Sequence, residues 1–170
     1  CPGPVLVTGG GAYAAQLVEL VSDARVEVLT DLDDLAEGTR LGGIVLDMTA
    51  LRHPSQLEHL RAVGAPAIKR LGANGRVVVI GVDPASLTAP AEVATARSLE
   101  GIVRSIAKEL RQGSTANLVL AQPDSASAVR SATEFFLSGR SAFVDGQPIV
   151  VGQGEGHNAS VDRPLKDKVA

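Results

Sequence analysis

The segment "PVLVTGGGAYAAQL", residues 4–17, joins an apolar run to a helix-like stretch through three consecutive glycines. A strand, a glycine-rich turn and a helix in this order form the unit in which N–H groups at the start of a helix can bind a phosphate. The same residues also fit an ordinary tight turn between a strand and a helix. The segment therefore predicts a β-α unit and leaves open whether its turn binds a ligand.

Apolar runs rich in Val, Ile and Leu continue along the chain. Most of them are uninterrupted by polar residues, as is typical of strands covered on both faces of a sheet. The predicted strands are residues 4–9, 25–30, 42–48, 75–81, 115–121 and 147–152. The intervening stretches with helical spacing of apolar residues are 12–22, 54–71, 92–111 and 125–138. This alternation predicts an α/β fold with a doubly wound parallel sheet of about six strands.

Composition and charge exclude several classes of partner. The 170 residues are 45% hydrophobic, which is enough for the core of one domain, and the net charge is −3. Because no run of Lys or Arg exceeds two residues, we expect neither nucleic acid nor an anionic membrane as a partner. The single cysteine, Cys1, cannot form a disulfide within the chain, and no apolar run has the length of a membrane span. A cytoplasmic protein is expected.

Acidic residues follow two of the predicted strands. Asp31, Asp33 and Asp34 come after the second strand, where a carboxylate can bind the hydroxyls of a ribose. Capping of a short helix is the interpretation that the pattern favours for these residues. Asp47 ends the third strand, at the sheet edge where ligands bind in such folds, and it can equally cap the following loop.

Few other residues are candidates for binding a metal or for stacking on a cofactor. His53 and His59 are six residues apart, which does not place them on one helix face, and no Cys or close carboxylate pair completes a metal-binding set. We therefore expect surface histidines and no metal. Tyr13 is the only tyrosine, and with three Phe and no Trp the chain has few rings to stack on a base or a flavin.

Two later segments, "SLEGIVRSIAKEL" (98–110) and "SAFVDGQPIVV" (141–151), are similar to a characteristic helix and a late turn and strand of one family. That family is the short-chain dehydrogenases/reductases, above all the bacterial 3-oxoacyl-acyl-carrier-protein reductases. The strands "GRVVVIG" (75–81) and "IVLDMTA" (44–50) also resemble strands of that family in register. The resemblance covers most of residues 4–152.

Each catalytic residue of that family is replaced at the matching position. Val82 stands where the family has a serine that binds the substrate carbonyl. Glu92 stands where it has the tyrosine acid, and Ala96 where it has the lysine that activates this tyrosine. The family's asparagine falls near Ala62. Because Val and Ala cannot protonate the alkoxide that forms, the resemblance implies no catalytic residues in this segment.

The family's TGxxxGxG phosphate turn is also altered. Its second and third glycines match Tyr13 and Ala15, and a tyrosine side chain there would crowd the path of a pyrophosphate. Between the second and third predicted strands there is too little chain for the family's third strand and crossover helix. The resemblance therefore implies a flavodoxin-like, truncated Rossmann fold without a bound cofactor. Its vestigial turn consists of Thr8, Gly9, Gly10 and Gly11.

The end of the sequence, "RPLKDKVA" (163–170), is similar to the lead-in to the first strand of a complete reductase domain, with Asp167 where Gly is commoner. A degenerate flavodoxin-like domain before a complete reductase domain is typical of the actinobacterial high-molecular-weight 3-oxoacyl-acyl-carrier-protein reductases. We therefore expect residues 1–152 to form the degenerate domain. Residues 153–170 are expected to form a linker and the start of the reductase domain.

On this resemblance the segment is a non-catalytic domain of an NADH-dependent reductase of fatty acid synthesis, and by itself it is expected to be inactive. It would support assembly or the approach of substrate, and NADH would bind in the parent's reductase domain. The implied partners are that downstream domain, a second copy of the parent, and its acyl carrier protein or acyl-CoA substrate. The alternatives are a flavodoxin-type cofactor-binding redox module and an independent reductase with Glu92 as an unusual acid.

The long predicted helix, residues 92–111, matches the helix that pairs subunits in the related reductases. Its outward residues are charged, which favours a monomer or weak dimer of this fragment over an obligate apolar interface. These outward residues are Glu92, Arg104, Lys108 and Arg111.

Overall fold

The computed structural model describes residues 3–153 of the chain. The predicted linker and start of a following domain, residues 153–170, lie outside the described residues apart from Gln153. Within residues 3–153, no helix combines the length and the apolar character needed to cross a membrane.

Six strands form one parallel sheet in the described part of the chain. They are β1 (Val5–Thr8), β2 (Val28–Leu29), β3 (Leu41–Asp47), β4 (Leu71–Val82), β5 (Thr115–Ala121) and β6 (Pro148–Val151). Their order is β2-β1-β3-β4-β5-β6, and every neighbouring pair is parallel. Because the chain proceeds from β1 toward one edge and from β3 toward the other, a crevice opens at the carboxyl ends of β1 and β3. The predicted doubly wound, flavodoxin-like fold is confirmed.

Helices cover both faces of this sheet. They are α1 (Ala14–Asp23), α2 (Leu57–Lys69), α3 (Pro90–Glu109) and α4 (Ala126–Leu137). One core lies between the sheet and helices α1 and α4, and the other lies between the sheet and helices α2 and α3. Because side chains alternate along a strand, β4 directs Val77 into the α2–α3 core and Val78 into the α1–α4 core. Burial on both faces explains the uninterrupted apolar runs.

The connection between β2 and β3 is short. Strand β2 has two residues, fewer than predicted, and it is followed by a 3-10 turn (Leu32–Asp34) and a loop that enters β3 at Leu41. In the sheet order, β2 is an edge strand beside β1. The prediction that the family's third strand and crossover helix are missing is therefore confirmed.

Proline and glycine positions explain where helices differ from the prediction. The predicted helix at 54–71 begins as a 3-10 turn (Pro54–Gln56), and α2 proper follows it. Helix α3 begins at Pro90, since proline is favoured in a first helical turn, and it ends at Glu109. Gly113 lies beyond the end of this helix. It follows Gln112 in a turn where φ is 56° and 73° at these two residues.

Candidate functional site

The candidate site lies at the carboxyl edge of the sheet, where the turn from β1 to α1 meets the end of β3. The turn needs glycine at its start, because φ is 114° at Gly9 and 73° at Gly10. Gly9 also lies against the end of β3. A Cβ added to Gly9 would be 2.5 Å from the backbone oxygen of Asp47. The first glycine of the turn therefore serves close packing of two strand ends.

Asp47 fills the position in front of helix α1. Its side chain is fully buried, and its Oδ2 atom accepts a 2.7 Å hydrogen bond from the backbone N–H of Tyr13, the N-cap residue of α1. Its Oδ1 atom accepts from the hydroxyl of Thr49 at 2.7 Å and from the backbone N–H of Thr49 at 3.2 Å. A carboxylate of the chain thus takes the place at the helix N-terminus that favours an anion.

Thr49 completes this arrangement. Its Oγ1 atom accepts a 2.9 Å hydrogen bond from the backbone N–H of Ala12, and the residue is 4% exposed. A Cβ added to Gly11 would collide with the Asp47 carboxylate and the Thr49 hydroxyl. The N–H groups of Ala12 and Tyr13, which would face a phosphate in a dinucleotide site, are therefore bound to acceptors from the end of β3.

The Tyr13 side chain was expected to crowd the path of a pyrophosphate, but it lies elsewhere. Its side chain is half-buried and packs against the α1–α4 core, which includes Val7 and Leu17. The groups that occupy the space in front of the helix are Asp47 and Thr49. Tyr13 matters here through its backbone N–H.

Three of the positions that match the family's catalytic residues lie at the end of β4 and in the first two turns of α3. Val82 is the last residue of β4 and is half-buried, and Ala96 is 6% exposed within α3. Glu92, in the first turn of α3, lies 3.6 Å from the Arg52 guanidinium, measured from Oε1 to Nε. Glu92 is therefore the only one of these three residues with a titratable group, and that group forms an ion pair.

The charged residues predicted on the outer face of the long helix separate into two groups. Arg104 and Lys108 are exposed, and Arg104 forms an ion pair with Glu100 at 2.8 Å. Glu92 is half-buried, and Arg111 lies after the end of α3. Of the four predicted outward residues, Arg104 and Lys108 therefore lie on the exposed side of α3.

A small pocket of about 300 Å³ remains beside β2. It is lined in part by Thr8, Asp31 and Ala62, and Ala62 belongs to helix α2. The Asp31 carboxylate accepts a hydrogen bond from the backbone N–H of Asp33 at 3.0 Å and caps the 3-10 turn. The capping interpretation of this acidic segment is confirmed.

Both predicted surface histidines are exposed. His53 caps the 3-10 turn before α2, and the Nε2 atom of His59 lies 3.3 Å from the backbone oxygen of Gly9. Across residues 3–153, no cluster of three or more His, Cys, Asp or Glu side chains could hold a metal ion.

A second buried carboxylate at the same edge was not predicted. Asp83 directly follows β4 and is 5% exposed. Its oxygens accept hydrogen bonds from the backbone N–H of Ala85 and the side-chain amide of Gln122, both at 3.0 Å. An Asp directly after a strand and before Pro84 is a signal for a capped turn that the sequence does contain. Thr49, two residues after Asp47, offered a comparable signal.

Comparisons with known proteins identify the fold. No protein-family model matches the chain, and no curated protein matches it in sequence. A short-chain dehydrogenase/reductase from Serratia marcescens BCRC 10948 matches in structure with a TM-score of 0.68 at 14% identity, over 88% of this chain and 95% of that one. A mutant of a Serratia marcescens short-chain dehydrogenase/reductase gives 0.68 at 13% identity over the same shares.

A third structural match is the enoyl-acyl-carrier-protein reductase of Plasmodium berghei, solved with triclosan. Its TM-score is 0.65 at 15% identity, again over 88% of this chain and 95% of that one. At such identities the likeness establishes the Rossmann-like fold of the short-chain dehydrogenases/reductases and carries no activity across by itself.

Proposed function

We propose that this chain is a non-catalytic domain of an NADH-dependent 3-oxoacyl-acyl-carrier-protein reductase of fatty acid synthesis. In this proposal the domain supports assembly or the approach of substrate, and the hydride chemistry belongs to a reductase domain after Ala170. The observation that carries it is the Asp47 carboxylate, which holds the N-terminus of α1 where a cofactor phosphate would bind.

The electrostatics of the β1–α1 turn support the absence of a cofactor from this domain. A pyrophosphate at the turn would have to displace Asp47 from the N–H of Tyr13, and Thr49 from the N–H of Ala12. It would also bring its negative charge next to a buried carboxylate, where repulsion is only weakly screened. The residues present therefore do not fit the phosphate groups of NADH.

The surroundings of α3 support the absence of catalysis. A reductase needs a group that protonates the developing alkoxide while a positioned cofactor delivers hydride. Val82 and Ala96 have no proton to give, and the carboxyl group of Glu92 is engaged by Arg52. These observations support a domain without the acid and without a bound hydride donor.

A flavodoxin-type redox module is the alternative, and the strand order alone does not separate it from our proposal. Such a module needs a phosphate position and an aromatic platform for the flavin ring. Here the phosphate position holds Asp47, and Tyr13 packs on the core. Both observations favour the assembly role.

The test is a titration of the purified chain with NADH, followed by nicotinamide fluorescence, with a parallel titration with FMN. We expect no saturable signal with either compound. Two variants show whether Asp47 is the cause. Asp47→Ala should gain stabilisation by inorganic phosphate in a thermal unfolding assay, because the N–H groups of the turn lose their internal acceptor. Asp83→Ala removes a buried carboxylate at the same edge without touching the turn, and it should gain none.

Saturable binding of NADH to the unmodified chain in the low micromolar range, competed by adenosine diphosphate ribose, would contradict the proposal. Saturable FMN binding would instead favour the redox module.

A further inference from the structure

Asn74 and Gly75 form the only Asn-Gly pair in the sequence, and they lie in an irregular part of β4. Strand β4 pairs with β3 at Leu71 and again at Arg76, and residues 72–75 between these two positions bulge out of the ladder. Asn74 is exposed to water, whereas Gly75 is buried. The pair therefore lies at the surface, outside the regular pairing with β3.

Each residue of this pair has a structural reason. Asn74 has a φ of 55°, a left-handed conformation that asparagine adopts more readily than most residues. A Cβ added to Gly75 would lie 2.5 Å from the Leu71 side chain and 3.0 Å from the backbone oxygen of Gly72. The bulge thus requires a pair that is chemically labile. An exposed asparagine before glycine deamidates easily, because no side chain hinders attack of the next backbone nitrogen on its Cγ atom.

A buried cation is directed at the backbone of this pair. Arg76 is 5% exposed, and its Nη1 atom donates to the carbonyl of Asn74 at 2.9 Å and to the carbonyls of Gly75 and Gly113 at 3.1 Å. Within residues 3–153, no carboxylate forms an ion pair with this guanidinium. Its positive charge therefore acts on the carbonyl groups of the bulge without a neutralising partner.

The hydrogen bond from Arg76 to the Asn74 carbonyl favours the species that attacks in deamidation. This species is the Gly75 nitrogen after loss of its proton, and resonance in the peptide bond shares the negative charge with the carbonyl oxygen of Asn74. A guanidinium bonded to that oxygen stabilises the charge, as a donor in an oxyanion hole does. The Gly75 N–H donates to the Oγ atom of Ser114 at 3.0 Å, and this bond must open for attack.

We propose that Asn74 is a site of spontaneous deamidation and that Arg76 promotes the reaction. Hydroxide removes the proton of the Gly75 N–H, the nitrogen bonds to the Cγ atom of Asn74, and the bond from Cγ to Nδ2 breaks. The leaving nitrogen takes a proton from water and departs as ammonia, which regenerates the hydroxide and leaves a succinimide. Water then opens the ring to aspartate or isoaspartate at position 74. The net reaction consumes one water and releases one ammonia.

This inference does not depend on the proposed function, because deamidation needs neither a cofactor nor a partner. The folded chain is kept at mildly alkaline pH for weeks, and samples are analysed by peptide mass spectrometry with detection of isoaspartate. We expect aspartate and isoaspartate to accumulate at position 74, at a rate that rises with hydroxide concentration. Asn117, which is buried in β5 and followed by Leu118, should keep its amide. A folded chain that retains the Asn74 amide throughout would overturn the proposal.

Two arginine variants test the part played by the guanidinium. Arg76→Gln removes the cation from the Asn74 carbonyl and should slow deamidation at position 74 at least about tenfold. Arg70→Gln is the matched control, because Arg70 also donates to backbone carbonyls, those of Ala36 and Thr39, but to none in the bulge. Its rate should stay within about twofold of the unmodified chain. Equal slowing in both variants would show that Arg76 has no specific effect.

Because Arg76 is buried, circular dichroism must verify that its variants are folded. Arg76→Lys keeps the charge but loses the planar set of donors, and its rate should lie between those of the unmodified chain and Arg76→Gln. Two synthetic peptides of residues 71–78, with Arg or Gln at position 76, should deamidate at equal rates, since no fold holds the side chain at the carbonyl. If the peptides differ as much as the folded chains do, the local sequence is responsible and the proposed role of the fold is wrong.

Discussion

The carboxyl edge of the sheet contains two regions, and each differs in its own way from the family that the sequence resembles. At the β1–α1 turn, acceptors have been added, because Asp47 and Thr49 bind the N–H groups that a cofactor would use. At the start of α3, groups are missing, because Val82 and Ala96 carry no polar atoms in their side chains. A region without such groups can be given them by substitution. A region filled by internal hydrogen bonds resists a ligand even when its glycines are present.

The difference also predicts where stability lies. The Asp47–Thr49 network joins the β1–α1 turn to the end of β3, and the hydrogen bond from Tyr13 connects residues 34 apart in the chain. Buried charge-assisted hydrogen bonds of this kind are costly to break, because the partners left behind stay buried and unpaired. By contrast, the Arg52–Glu92 pair at the start of α3 is partly exposed, and such pairs contribute little.

The largest effect is expected for Gly11→Ala. The added methyl group would collide with the Asp47 carboxylate and the Thr49 hydroxyl, so the network must shift or break. We expect the free energy of unfolding to fall by about 3 kcal/mol, measured by urea denaturation.

Gly101→Ala is the matched control for that substitution. Gly101 lies in the interior of α3 and an added Cβ would have no neighbour within 4 Å. Alanine is the better helix former, so this variant should gain about 1 kcal/mol. If the free energy of unfolding of Gly11→Ala does not fall below that of the unmodified chain, the β1–α1 turn adapts freely to the added methyl group. The described packing between Gly11 and Asp47 would then be wrong.

A smaller loss is expected for Asp47→Asn, which keeps the size of the side chain. Its amide group can accept at one atom only, so either the N–H of Tyr13 or the backbone N–H of Thr49 would face a donor. We expect a loss of about 2 kcal/mol in the same urea assay. Thr49→Val, which removes one acceptor and one donor, should cost about 1 kcal/mol. If both variants unfold like the unmodified chain, the network does not stabilise the turn.

The sequence predicted the sheet more fully than the site, for physical reasons. The continuous apolar runs require burial on both faces, and their alternation with helical stretches predicted the parallel sheet. The short stretch of chain between β2 and β3 predicted that the family's third strand is missing. The position of Asp47 at the sheet edge followed from the end of β3. Which groups its carboxylate binds did not follow, because Tyr13 and Asp47 meet only when the β1–α1 turn closes over β3.

Tyr13 shows the limit of reading a site from residue types. A large ring at a glycine position suggested an obstacle in the path of a phosphate, yet a side chain takes the direction that buries it best, and here that is the α1–α4 core. Glu92 is a similar case. Its charge suggested a solvated outer face, whereas the fold of the segment before α2 brings Arg52 to it.

The smallest effect is expected where groups are missing. Val82→Ser, Glu92→Tyr and Ala96→Lys together restore the side chains that the family uses, and we expect no turnover of acetoacetyl-CoA with NADH or NADPH above that of the unmodified chain. A proton donor without a positioned hydride source has nothing to protonate, and Asp47 would still hold the phosphate position in these variants. Because Ala96 is buried, a lysine there can disturb packing. The double variant Val82→Ser with Glu92→Tyr is therefore assayed beside the triple one, and circular dichroism checks that both are folded. Turnover by either variant would show that the β1–α1 turn admits a cofactor despite Asp47, and the distinction between a filled and a depleted region would then fail.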